Sequence, residues 1–303
     1  MQPGYPTVLV SAGRSTPAVI EPIGDSSRRR LALARWMASA DNPLTARVIV
    51  NRLWQHHFGR GLVATPSDFG LRGERPSHPE LLDWLADELV SGGWRLKRMH
   101  KLMLMSETYQ QSTSGPAAAS DPENRLLSRM NRRRLEGEAV RDALLAISGR
   151  LNHAMRGPGV VVPENAQGGG GAKALPVNPD PGERARRSVY LFGRRNLRHP
   201  FLEAFDLPDS NLSCPRRERS TTAPQALALL NDADVMTAAN AVAEKLEKAS
   251  SAFDARIEWA YRQALGRPPT TNEHERARTF LRDSPLSELC RALFNTNEFV
   301  YLD

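Results

Sequence analysis

The stretch NPLTARVIVNRLWQHHFG, residues 42–59, reads as one helix with both ends marked. Asn42 suits the N-cap, where its side-chain oxygen accepts from a first-turn amide. Pro43 suits the first helical position, and Gly59 suits the left-handed residue that closes a helix. Between them the apolar residues recur at helical spacing.

The same grammar repeats along the chain. Ser26 or Ser27 opens a helix to about Met37, with Leu31, Ala34 and Ala38 at helical spacing. Ser77-His78-Pro79-Glu80 fits a capping box ahead of the amphipathic LLDWLADELV, which ends at Gly92-Gly93. Residues 96–108 place Leu96, Met99 and Met103 on one face, as core filler. A long helix is expected over 135–151. Thr222-Ala223-Pro224-Gln225 is a second capping box, opening a helix to about Lys248. Three helices follow near 253–265, 273–282 and 286–295, the first stopped by Gly266 and Pro268-Pro269.

Segments rich in Gly, Pro and Ser separate these helices. Residues 59–76 read as a loop, and 157–183, with Gly168 to Gly171, as a flexible one. RSVYLFGRR, residues 187–195, is the best strand candidate, but one strand makes no sheet. The expected fold is mostly α: an irregular multi-helix domain with long loops and at most a minor β element. Residues 1–25 read as an extended arm or linker. Residues 26–303 read as one helical domain, with the loop at 157–185 as the place where it would subdivide.

Composition narrows the class. The chain has 303 residues, 40% hydrophobic and 25% charged, which argues against wholesale disorder. No run approaches the ~18 apolar residues of a membrane helix. Residues 1–24 lack the basic and apolar regions of a signal peptide. The net charge is +7, and 36 of the 41 basic residues are arginine. Arginine's planar fork suits phosphate or carboxylate, but it equally suits structural ion pairs. Cys214 and Cys290 make no disulfide framework or CxxC site, and whether they pair is open.

Three constellations could carry chemistry. In the first, His56 and His57 are neighbours on a helix and point about 100° apart, so they cannot share a metal there. Asp68 and His78 could join one of them in space; the plainer reading is that the histidines and Trp54 anchor the loop. In the second, Arg132-Arg133-Arg134 precede Glu136, Glu138, Arg141 and Asp142. Spacings of three and four on a helix make this a charge ladder, while the arginine run could bind an anion. The third is 187–224, where Arg194, Arg195, Glu203, Asp206 and Asp209 mix with aromatic residues. Arginines among aromatics resemble a single-strand nucleic-acid surface, but the acids there repel phosphate. Paired acids such as Glu203 and Asp206 could do acid–base work on a glycoside. No phosphate loop, dinucleotide fingerprint, nucleophile elbow or CxxCH haem motif is present, so neither metal nor cofactor is expected.

Taken together, several blocks closely resemble the bacterial family known as domain of unknown function 1553. They are RRLALARWMASADNPLTARVIVNRLWQHHFGRGLVATPSDFGLRGERPSHPELLDWLA, NRRRLEGEAVRDALLAISGRL, RRSVYLFGRRN, FDLPDSNLSCPRR, STTAPQALALLND and the terminal LCRALFNTNEFVYLD. The family resemblance implies no activity. It implies a large exported, periplasmic or extracellular protein of planctomycete-type bacteria. There this domain follows a second uncharacterised domain, often with a cytochrome c-like domain ahead of both. Because the chain opens where such proteins enter this domain, it is expected to be a fragment of a longer product.

Two readings of function follow, and a third is ranked last. The first is a helical ligand- or partner-binding module, linked to polysaccharide use or surface redox complexes, with upstream domains as partners. The second is a hydrolase-type enzyme built from His56, Asp68, His78, Glu138, Asp142, Glu203 and Asp206, with Arg132, Arg133, Arg194 or Arg195 orienting the substrate. Nucleic-acid binding comes last, since the basic residues are interleaved with acids.

Overall fold

The computed structural model describes residues 28–40, 42–115, 120–166 and 173–302. The expected arm at 1–25, the Ser26 or Ser27 cap and Gly168 to Gly171 lie outside these residues. The chain divides into two compact units, the first ending at Asn131 and the second spanning Arg132–Leu302. The boundary falls at 131/132, and the 157–185 segment lies inside the second unit. The architecture is mostly α, with one small antiparallel β pair among the described residues. None of the described helices is long and apolar enough to cross a membrane.

The first unit holds α1 (Arg29–Met37), α2 (Thr45–Phe58), α3 (Pro79–Ser91), α4 (Leu96–Leu104) and the short α5 (Glu107–Gln110). Val50, Trp54 and Phe58 of α2 pack with Leu82, Leu85 and Leu89 of α3 and with Met99 and Met103 of α4. Each fully buried side chain of this size stabilises by roughly 1.5–3 kcal/mol relative to exposure. Gly59 closes α2 in the left-handed region, with φ 86°. Asn42 does accept first-turn amides, from Leu44 at 2.9 Å and Thr45 at 3.1 Å, but regular helix begins only at Thr45.

Three expectations are corrected in this unit. The stripe of α1 is not the core face: Leu31 is exposed, and the buried residue is Ala32. The Ser77–Glu80 box does not form. The Ser77 hydroxyl hydrogen-bonds the His78 ring at 2.9 Å, so Ser77 caps nothing, and α3 starts at Pro79. The helix expected over 96–108 is two, and Leu96 is exposed. Ser106 breaks it, donating to the Met103 carbonyl at 2.7 Å and accepting from the Tyr109 amide at 3.2 Å.

The second unit opens with β1 (Arg133–Arg134), which pairs antiparallel with β2 (Tyr301–Leu302) at its end. Between them come α6 (Gly137–Ile147), α7 (Pro163–Ala166), α8 (Pro181–Arg184) and α9 (Pro200–Ala204). Then follow α10 (Ala223–Asn231), α11 (Ala233–Ala249), α12 (Phe253–Leu265), α13 (Thr271–Phe280), α14 (Leu286–Phe294) and α15 (Asn297–Val300). The core is centred on α11 against α14 and α12, with Val235, Ala238, Val242, Leu246, Leu289 and Phe294 buried. Gly137 sits where α6 meets α9: a Cβ there would lie 2.8 Å from the Phe205 Cβ. The Thr222–Gln225 capping box forms as expected.

The strand expected at RSVYLFGRR is instead a short 3-10 turn, Ser188–Tyr190, followed by isolated bridges of Leu191 with Val160 and of Arg194 with Leu197. Among the described residues the segment has no second strand to complete a ladder. The helix expected from 223 to 248 breaks at Asp232, whose carboxylate accepts the Asp234 amide at 2.9 Å and so starts α11. The charge ladder around Arg134 is not helical, because Arg134 lies in β1 and α6 begins at Gly137.

Candidate functional site

The site starts from an arginine on the wrong face of a helix. The inward stripe of α6 is Val140, Leu144 and Leu145, and Arg141 lies on the same stripe, 5% exposed. A buried guanidinium needs acceptors, and here they are neutral. One amino group of Arg141 donates to the Arg186 carbonyl at 3.1 Å and the Ser188 hydroxyl at 3.3 Å, and the other to the Arg184 carbonyl at 2.9 Å. Its Nε has no hydrogen-bond partner. Burial pulls its pKa down, while Asp234, Asp142 and Glu164 pull it back.

His199 precedes α9 and is also 5% exposed. Neither ring nitrogen has a hydrogen-bond partner. Burial, reinforced by the charge of Arg141, lowers its pKa to about 4, so the ring is neutral at pH 7. Across from it lies the start of α11. Burial raises the pKa of the capping Asp232, and the neighbouring charge of Asp234 adds to that.

Arg141 borders a cleft of about 170 Å³ in the second unit. Four charged side chains line it with Arg141: Arg150, Arg184, Glu164 and Asp234. Among the described residues, none of these four side chains has a hydrogen-bond partner, and the contact of Glu164 with His199, at 3.9 Å, is no ion pair while the ring is neutral. Pro163, Pro181 and Leu145 add apolar surface. Arg141 and Asp234 also border, with His199, a separate cavity of about 10 Å³, room for about one water. The cleft therefore presents both signs of charge, uncommitted, beside a buried arginine.

None of the seven candidate acids and histidines from the sequence lines this cleft. Asp206 sits in the left-handed region at φ 62° and is held in a closed network. It accepts from Arg134, from the Ser220 amide at 2.8 Å and from the Ser220 hydroxyl at 2.7 Å. Burial pushes its pKa up, but those hydrogen bonds outweigh it and hold the carboxyl below its usual range. Glu138 receives a bidentate pair from Arg217, at 2.7 Å each. That pairing likewise overcomes burial and lowers its pKa. Asp142 accepts the Ser188 amide at 2.7 Å, and Glu203 is exposed near Arg198. These four acids are thus engaged with four different partner sets, and the structure does not bring them together.

Of the proposed anion-binding arginines, Arg133 lies in β1, directly after Arg132. Arg194 donates to the Lys173 carbonyl at 3.1 Å, and Arg195 is exposed.

In the first unit, His56 is exposed, Asp68 accepts the Gly70 amide at 2.9 Å, and His78 meets Ser77. His57 contacts His100 at 2.8 Å, and Trp54 stacks on Phe58. The anchor of the loop is Asn51, fully buried. It donates to the Val63 carbonyl at 3.0 Å and accepts the Val63 amide at 2.8 Å. No group of three or more His, Cys, Asp or Glu side chains among the described residues could hold a metal ion.

Sequence reasoning named His199 only as one residue of the 187–224 stretch, did not single out Glu164 or Asp234, and placed Arg141 in a charge ladder. One signal was available: Arg141 falls on the apolar stripe with Val140, Leu144 and Leu145, where a charge has to be explained.

A family model described as "PSD1: Protein of unknown function (DUF1553)" matches residues 29–281. No curated protein matches, and no solved structure matches.

Proposed function

Since the chain belongs to the PSD1 (DUF1553) family of proteins of unknown function, we propose that its second unit is a ligand-binding module whose site is the cleft bordered by Arg141. The observation that carries this is the set of uncommitted charges, Arg150, Arg184, Glu164 and Asp234, in one concave site. Preorganised polar groups without internal partners gain most from a ligand, because desolvating them against protein alone is costly. The hydrolase reading draws less support, since Asp206 and Glu138 hold their oxygens against Ser220, Arg134 and Arg217.

The family resemblance supports a wider reading of the same kind. The module would belong to a larger exported bacterial protein, beside an uncharacterised domain and a cytochrome c-like domain. It would serve polysaccharide use or a surface redox complex, in the periplasm or outside the cell.

Titration calorimetry of the full chain against simple carboxylates, amino acids and mono- and oligosaccharides tests the module. One class is expected to bind the wild type and to lose affinity in Arg184→Glu. Background heat for every class overturns the reading.

A further inference from the structure

We propose that the cleft beside Arg141 takes a small zwitterion, a molecule bearing a carboxylate and an ammonium group a few bonds apart, as in a free α-amino acid. This rests on the reading of the cleft as a ligand site and names the ligand.

The charge pattern selects it. The lining carries three cations, Arg141, Arg150 and Arg184, and two anions, Glu164 and Asp234. A simple anion would meet the repulsion of both carboxylates, and a simple cation that of three guanidiniums. A neutral polyol would leave every one of these charges facing uncharged hydroxyls in a partly desolvated site. A zwitterion answers both signs at once. A guanidinium fork matches a carboxylate in geometry, and an ammonium offers three donors to share between two carboxylates.

The surroundings supply no substitute for either end. The hydrogen bonds of Arg141 go only to carbonyls and a hydroxyl, and the carboxylates of Asp234, Asp142 and Glu164 act on it through space without a hydrogen bond to it. His199, the nearest titratable ring, adds no charge at neutral pH. The volume of about 170 Å³ admits a molecule little larger than the benzene-sized ligands that fill cavities of about 150 Å³. Pro163, Pro181 and Leu145 offer apolar surface for an aliphatic side chain.

The test is titration calorimetry on the full chain with each common L-amino acid singly. The N-acetyl and carboxamide derivatives of the best binder follow, with D-glucose and maltotriose as uncharged probes. At least one free amino acid should bind. Blocking either end should weaken binding about tenfold or more, the loss of one charge-assisted contact. Arg184→Ala and Asp234→Asn should each weaken it by a similar factor while the circular dichroism melt stays unchanged. Equal binding by the blocked derivatives, or binding of a saccharide in place of amino acids, overturns the zwitterion and leaves the ligand site standing. Amino-acid binding that both variants retain also overturns it, since the binding then lies elsewhere. No binding by any probe class removes both readings.

Discussion

The Nε2 of His199 lies 3.9 Å from the nearest carboxylate oxygen of Glu164, beyond hydrogen-bond reach, and so the ring is buried without a partner on either nitrogen. A histidine in that position is tolerated only while neutral. Its proton affinity then becomes a handle on the stability of the second unit.

The folded pKa of His199 is about 4, below the ordinary value of 6.5. Between those values the unfolded chain binds a proton that the folded chain refuses. Stability from this residue is therefore complete above the ordinary pKa and is lost as pH falls toward the folded one, by about 3 kcal/mol in all. Replacing His199 with Phe should flatten this part of the profile. Urea denaturation of both proteins at several values between about pH 7 and pH 4 measures it; identical slopes would count against the buried neutral ring.

Asp206 and Arg134 should be interdependent. Truncation in Asp206→Ala leaves the Arg134 guanidinium, which is 4% exposed, with the Ser220 and Leu135 carbonyls but no counter-charge, and puts a methyl side chain on a left-handed backbone. The expected cost is about 3–5 kcal/mol. Asp206→Asn should cost less, because an amide still meets Ser220 and asparagine tolerates positive φ. Chemical denaturation at neutral pH ranks the two; equal stabilities would show that the network holds nothing.

In the first unit, Asn51→Ala should release the loop after α2. It leaves both the amide and the carbonyl of Val63 unpaired at a buried residue. The expected loss is about 2–4 kcal/mol. Faster amide exchange at Val63 and lower thermal stability would mark it. Unaltered exchange would mean that the loop is held by other contacts.

The two cysteines should differ sharply in reactivity. Cys290 is buried on α14, and burial pushes its thiol up to about 12. Cys214 is exposed. Iodoacetamide on the native chain should therefore add one group, at Cys214, and in denaturant two. Mass spectrometry of the digested adduct reads the position directly.

Much of the fold was legible because helix ends are local events. Gly59, Gly266 and the Thr222–Gln225 box act within a few residues, and the helices begin or end there. Where a competing contact comes from farther away, local grammar fails. The Ser77 amide bonds the distant Leu62 carbonyl at 2.9 Å, and its hydroxyl meets the adjacent His78 ring instead of capping the helix. Asp232 was overlooked as a helix start, though aspartate is a favoured N-cap. The site was harder to read. Arg141 looked like one rung of a charge ladder, and the packing of α6 against α9 and α11 turns it inward. His199 and Asp234 are 35 residues apart on separate elements and share no local pattern.

The β pair has a consequence for how the second unit is made. Arg133 is opposite Leu302 and Arg134 opposite Tyr301, and the Leu135 amide continues the contact to the Val300 carbonyl at 2.7 Å. The first and last residues of the unit are therefore neighbours, and Phe299 and Val300 belong to its core. Contacts of such long sequence separation form slowly, since the whole intervening loop must close. On the ribosome, this unit cannot complete its fold until its last residues have left the exit tunnel. Until then the apolar faces of α11 and α12 stay without the cover that α14 gives them.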